Sequence, residues 1–379
     1  MVGGLIIQRL KTDKGFNQLA VMLLLAGAGF GMVGVVVILF YHWIALQRTA
    51  VDLADKHGIS TVQSSRLGGV AVILTLSMLF LGMLYSNQAY LYEHSYYDDS
   101  RRYGIIAIVL CALLGLIEDI KGDFLSPGYR LAIKLIIFAG MLQLWPEIVP
   151  QALGVPGLDY LLSYPVIGWI LTTIFLIGFI NAVNMADGAN GLMPGIAFCA
   201  AYIFYLYGGR ELEASLMSAC GLFLVYNVIT GRLFLGDAGT YGLGTAFALY
   251  GLYFHNAGVF SPSFLAALFA YPCIDFLVSI VRRLGEGRSP FSPDNDHLHN
   301  RLHRKFQAYF QSPLVANSAT GLSITLATSG VVLMGSLQQW WPVTSNAWAW
   351  VFIAEVVLYG AIYYATGLGR PPSQVGRVI

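Results

Sequence analysis

Residues 166–191 read VIGWILTTIFLIGFINAVNMADGANG, an uncharged run that passes directly into a dense polar cluster. As a helix the apolar part, 166–183, rises roughly 27 Å, close to the ~30 Å of hydrocarbon in a bilayer. Working outward, runs of the same kind recur near 19–45, 67–86, 104–117, 129–145, 191–207, 213–230, 239–256, 263–281, 315–335 and 346–366. The chain is 57% hydrophobic and 11% charged, against roughly 25% charged in a soluble domain. One soluble core could not hide this much apolar surface, whereas a bilayer can. No alternating ten-residue segments of the barrel type occur. The expected fold is all-α: a polytopic integral membrane protein with about 10–11 transmembrane helices. Residues 1–379 are expected to form a single transmembrane domain.

The short run near 104–117 is expected to continue as a helix into the polar residues after it. The first run follows Arg9, Lys11 and Lys14. It is too long for a signal-peptide core and has no small-residue cleavage site, so it reads as an uncleaved first helix. With the N-terminus outside, the loops near 46–66, 118–134, 231–238 and 282–314 and the tail after 366 hold 15 of the 21 Lys and Arg residues. That bias makes those loops cytoplasmic. The stretch 90–102, with Glu93, Asp98, Asp99, Arg101 and Arg102, reads as a solvated external loop, and Pro-rich 146–165 as another. Cys111, Cys199, Cys220 and Cys273 lie inside apolar runs without CxxC spacing, as small buried hydrophobes rather than disulfide or zinc ligands. A formal charge of +1 points to no nucleic-acid partner.

Four polar clusters stand where helices meet the inner face. In the first, Glu118 and Asp119 directly follow an apolar run, and two adjacent carboxylates there call for a cation or a shared proton. In the second, Asn181, Asn184 and Asp187 repeat every three residues and share a face if the helix continues through them. Gly188 and Gly191 would allow tight turns or close ligand approach. An interhelical hydrogen-bond cluster is the alternative reading. In the third, Asp237 lies between Gly236 and Gly239, either as the N-cap of the following helix or as a ligand for Mg²⁺. The fourth is a basic loop with Arg282, Arg283, Arg288, His297, His299 and Arg304. Its charges could mark the inner face, while His297 and His299 near Arg288 suggest phosphate binding. Lys134, Asp275 and Glu355 are ionisable residues inside apolar runs. Lys134 is placed to face the carboxylates. Asp275 follows Pro272, where a kink could expose backbone, and Glu355 reads as structural.

Taken in order, these clusters resemble the polyprenyl-phosphate N-acetylhexosamine-1-phosphate transferases of glycosyltransferase family 4. The resemblance runs from Ser65-Arg66-Leu-Gly68-Gly69 through Glu118-Asp119, the N-x-x-N-x-x-D-G and F-x-G-D-x-G motifs, to Ser289-Pro-Phe and His297-Leu-His299. It spans about residues 64–303, and the last two motifs look closer to the branch using UDP-N-acetylhexosamines, undecaprenyl-phosphate GlcNAc-1-phosphate transferase among them, than to the muramyl-pentapeptide branch. The family usually has Asp where this chain has Glu118 and Asn190, His in place of Asn300, and Ser in place of Thr240.

The resemblance implies transfer of a sugar-1-phosphate from a UDP-sugar to undecaprenyl or another polyprenyl phosphate. UMP is released and a lipid-linked cell-envelope glycan begins. It makes Asp237 a ligand of Mg²⁺ (or Mn²⁺), Asp119 the group that engages or deprotonates the acceptor phosphate, and Glu118 its support or a second metal ligand. Asn181, Asn184, Asp187 and Asn190 would line the nucleotide-sugar site. Arg288, His297 and His299 would hold the diphosphate, with Arg66 and Lys134 as further phosphate contacts. Direct displacement and a covalent phospho-Asp119 both fit. The resemblance further implies a homodimer in the bacterial cytoplasmic (inner) membrane, with its active site facing the cytoplasm. Two rival readings are a transporter or flippase of an anionic or lipid-linked solute, and an inactive homologue that binds lipid or nucleotide. Transporters place polar groups at mid-membrane within paired repeats, whereas these clusters gather at one face.

Overall fold

The computed structural model describes residues 13–47, 50–52, 64–86, 101–122, 124–290, 292 and 295–367. Glu93, Asp98, Asp99, Arg9, Lys11, Asp123 and Asp294 lie outside them. Every apolar segment folds as a helix or a bent helix pair. In chain order these are α1 (Asp13–Ala45), α2 (Gly68–Ser86), α3 (Arg101–Lys121), α4 (Pro127–Leu144), the short α5 (Pro156–Leu162), α6 (Pro165–Ala186), α7 (Leu192–Gly208), α8 (Glu211–Thr230) and α9 (Gly236–Asn256). There follow α10 (Pro262–Leu268), α11 (Ala270–Gly285), α12 (Leu298–Phe306), α13 (Pro313–Ala327), α14 (Ser329–Leu337) and α15 (Trp348–Gly367). Among the described residues six helices are long and apolar enough to cross a membrane, or eight if the pairs α10–α11 and α13–α14 each count as one span. The protein is an all-α polytopic integral membrane protein.

The bundle is built around α9, which packs along α3 and also against α6 and α2. Its first turns, Gly236-Asp-Ala-Gly-Thr-Tyr-Gly-Leu-Gly244, are rich in small residues that let neighbouring backbones come close. A Cβ at Gly115 of α3 would collide with the carbonyl of Asp237, and one at Gly69 of α2 with the backbone of Gly239. Upstream of α9, residues 64–69, strand-like at Ser64–Ser65, run beside 232–235. Ser65 N–H donates to the Arg232 carbonyl at 2.9 Å, Phe234 N–H to Ser65 at 3.0 Å and Gly69 N–H to Leu235 at 2.8 Å. This pairing sets Arg66 next to the start of α9.

The helix α3 does carry through Glu118 and Asp119, as its flanking sequence predicts. Two other boundaries differ from expectation. α6 stops at Ala186, so Asp187 is its C-cap rather than a third residue on the Asn181–Asn184 face. The turn that follows needs the left-handed backbone of Gly191, at φ 78°. The break beside Asp275 falls at Phe269, where α10 and α11 meet at 77°. Pro272 instead sits in the first turn of α11, where its missing N–H leaves no helical bond unmade. The four cysteines are free, three buried and Cys273 partly so.

Candidate active site

A helix that begins inside protein leaves backbone N–H groups needing partners. At α9 they are met from two other elements. Asp119, near the end of α3, accepts from Asp237 N–H through one oxygen at 2.9 Å and from Ala238 N–H through the other at 2.8 Å. Asp187 accepts from Gly236 N–H at 3.1 Å. Gly236 has φ 66°, and a Cβ there would collide with the Arg66 carbonyl. The sequence reading of Asp237 as an N-cap is therefore not what the structure shows. Asp237 lies in the first turn, and the capping carboxylates come from a distance.

Freed from capping, the Asp237 side chain turns toward a cluster of polar groups. Its Oδ1 accepts from Asn184 Nδ2 at 2.7 Å, and the same amide donates to Thr240 Oγ1 at 2.8 Å. Its Oδ2 lies 4.0 Å from Arg130 Nη1, which is also 3.7 Å from Glu118 Oε2. The other oxygen of Glu118 accepts from Leu125 N–H at 2.9 Å. Lys134, only 2% exposed, donates to Asn181 Oδ1 at 2.8 Å, and its ammonium lies 3.6 Å from the centroid of the Tyr241 ring. Four carboxylates and two cations, Arg130 and Lys134, thus converge where α3, α4, α6 and α9 meet. Burial pushes the Asp187 carboxyl well above the usual carboxylate range.

The histidines approach from the opposite side. His297 Nδ1 is 2.6 Å from Asp275 Oδ2, and the His297 and His299 rings stack with centroids 5.3 Å apart and planes at 3°. His299 Nδ1 lies 2.9 Å from the Tyr271 hydroxyl. Its Nε2 edge faces Gly188, where a Cβ would displace it. The preceding loop is tied down by Arg283, which donates to the Pro290 carbonyl at 2.6 Å.

Between these two sides lies a cavity of about 1020 Å³. Of the sequence-predicted residues, Arg66, Lys134, Asn181, Asn184, Asp187, Asp237, His297 and His299 all line it. The others do not. Glu118 and Asp119, 2% and 4% exposed, stand behind the wall, and Asn190, 1% exposed, donates its amide to Ser318 at 3.4 Å. Arg288 points elsewhere and pairs with Glu286 at 3.2 Å. Arg130, Tyr241, Arg283 and Asn300 line the cavity without having been singled out for it. Arg130 stands one helical turn before Lys134, a spacing that puts the two on one face. Among the described residues, Asp187 Oδ1 and Asn300 Oδ1 are buried acceptors without hydrogen-bond partners, suited to donors on a ligand.

Residues 102–255, which hold the acidic pair, the asparagine motif and Asp237, match glycosyl transferase family 4. That segment is similar to the family's conserved core. Similar proteins extend the likeness on both sides of the matched segment. The chain is 27% identical over 278 residues to a probable undecaprenyl-phosphate N-acetylglucosaminyl 1-phosphate transferase of Bacillus subtilis, covering 68% of this chain and 71% of the relative. It is 26% identical over 348 residues to the decaprenyl-phosphate N-acetylglucosaminephosphotransferase of Mycobacterium leprae, covering 81% and 83%. A phospho-N-acetylmuramoyl-pentapeptide-transferase of a Synechococcus strain is 36% identical over 129 residues, covering 33% of this chain and 38% of the relative.

Proposed function

We propose that this protein transfers an N-acetylhexosamine-1-phosphate from a UDP-sugar to a polyprenyl phosphate, releasing UMP and starting a lipid-linked cell-envelope glycan. The observation that carries this reading is that one cavity joins a polar, cation-lined end to an apolar wall opening sideways. Leu131, Leu135, Ile174, Ile177, Phe276 and Ile280 form that wall. Leu135 and Ile174 line the cavity yet are 47% and 61% exposed, so its mouth faces the lipid. A prenyl chain can lie against this wall while its phosphate reaches Arg130 and Lys134. The names of the relatives from Bacillus and Mycobacterium support the same acceptor and sugar class. The Lys and Arg distribution supports a cytoplasmic-face site in the bacterial inner membrane.

In the reaction an oxygen of the lipid phosphate attacks the sugar-linked phosphorus of the donor. The bond from that phosphorus to the bridging oxygen breaks, and UMP leaves with the electron pair. One phosphoanhydride replaces another, so the barrier lies in bringing two anions together, which the cations are placed to lower. Arg130 and Lys134 offset the acceptor's charge, and Arg66 and Arg283 flank the donor. Asn184 fixes the Asp237 carboxylate, and Asp119 fixes the backbone that carries it. Among the described residues no three acidic, histidine or cysteine side chains gather to hold a metal alone. Asp237, with an oxygen at the cavity, fits a Mg²⁺ that takes its other ligands from phosphates and water. Bound there, Mg²⁺ would neutralise diphosphate charge. Glu118, behind Arg130, supports the cation cluster.

The test is UMP release by detergent-purified protein given undecaprenyl phosphate, Mg²⁺ and a panel of UDP-sugars. Release with a UDP-N-acetylhexosamine, stopped by EDTA and restored by Mg²⁺, is expected. Folded protein that releases no UMP with any donor would overturn the reading.

A further inference from the structure

Behind His297 stands a buried relay that the transfer itself does not use. Asp275, on α11 and 1% exposed, is a carboxylate deep among helices, where an uncompensated charge is costly. It is fully engaged. Oδ1 accepts from Leu298 N–H at 3.0 Å and from the Tyr359 hydroxyl at 2.8 Å, and Oδ2 accepts from His297 Nδ1 at 2.6 Å. Tyr359 comes from α15, the last helix described. The same helix grips the loop again one turn on. Arg301 donates to the Tyr363 carbonyl at 2.9 Å and stacks 3.6 Å from its ring centroid, while pairing with Asp296 beside His297.

A histidine has two ring nitrogens, and a bond at one fixes what the other can do. With Nδ1–H given to Asp275, the opposite edge of His297, carrying Nε2, is left on the cavity side. The stacked His299 is anchored in the same way through Nδ1 to Tyr271, so both parallel rings are held by one nitrogen.

We propose that Asp275 and Tyr359 are positioning residues for the transfer, holding His297 so that Nε2 meets the diphosphate of the sugar nucleotide. The identity of that ligand rests on the transferase reading. A diphosphate at Nε2 completes a chain of alternating charge, carboxylate to imidazolium to phosphate, a geometry far stronger than a histidine on a free loop could offer. Asp275 touches no substrate. Its effect passes through one ring.

That claim has a signature which a merely structural role lacks. UDP binding to the full-length protein in detergent is measured by calorimetry for wild type, Asp275→Ala, His297→Ala and the double variant. Each single change is expected to weaken UDP about tenfold, and the double change about tenfold as well, because the two groups act as one unit. The KM for polyprenyl phosphate should stay within about twofold, since that substrate meets other residues. About hundredfold loss in the double variant would overturn the proposal, as would unchanged UDP affinity in either single variant. If Asp275→Ala does not fold, Tyr359→Phe takes its place in the cycle. It is expected to weaken UDP by a few fold in the presence of His297 and not in its absence. The two readings fail differently. Protein that shows this coupling in UDP binding but releases no UMP from any UDP-sugar sinks the transferase reading and leaves the anchored histidine standing. Folded wild type that binds no UDP overturns the positioning proposal.

Discussion

Both oxygens of Asp119 are taken by amides of Asp237 and Ala238, so an asparagine there keeps one bond and turns a donor toward the other N–H. Leaving a buried N–H unmet costs about 1–3 kcal/mol. Asp119→Asn should therefore lower the melting temperature in detergent by several degrees and lose activity with it. Asp237→Asn keeps an oxygen for Asn184 and should melt within a degree or two of wild type. Its turnover should fall about a hundredfold or more, because the lost charge faces the substrates. Thermal unfolding alongside UMP release separates the pair. An Asp119→Asn protein with wild-type melting and no turnover would instead make Asp119 a participant in the chemistry. The motifs made this carboxylate legible as important but not as a cap, since a cap on a helix more than a hundred residues away leaves no local pattern. Arg130 was missed for a related reason: it reads as an ordinary inner-face charge until α9 is seen beside it.

Glycines in one helix differ by what stands opposite them. On α2, Gly69 meets the backbone of Gly239, whereas Gly82 has none of the described residues within 4 Å. Gly69→Ala should force α2 and α9 apart at a cost of about 1–3 kcal/mol and disturb Asp237. Gly82→Ala should be neutral or slightly stabilising. Melting temperatures of the two variants decide this, and equal behaviour would mean that the close crossing is not needed. Element existence was readable because each run has the length a bilayer demands. Where elements stop was less so. The end of α6 depends on Asp187 finding the amide of Gly236, and the bend at Phe269 precedes the proline that seemed to announce it.

On the proposed function, the molecule as a whole sorts its two substrates by solvent: one enters from water onto cations and histidines, the other from lipid along an apolar wall. A bulkier wall should touch one substrate only. Leu131→Trp is expected to raise the KM for polyprenyl phosphate about tenfold and leave that for the UDP-sugar within about twofold. Equal rises in both would show that the two paths are not separate. The all-α membrane architecture was legible from composition, and eight of the cavity residues from motifs and from a charge inside an apolar run. Asn190 and Arg288 were not placed correctly, because a motif gives spacing and not the direction in which a side chain turns. The start of α9 also bears on how the chain is made. Its buried amides need partners, and the two carboxylates that receive them, Asp119 and Asp187, are synthesised first. The receiving carboxylates thus precede the amides they receive in the order of translation.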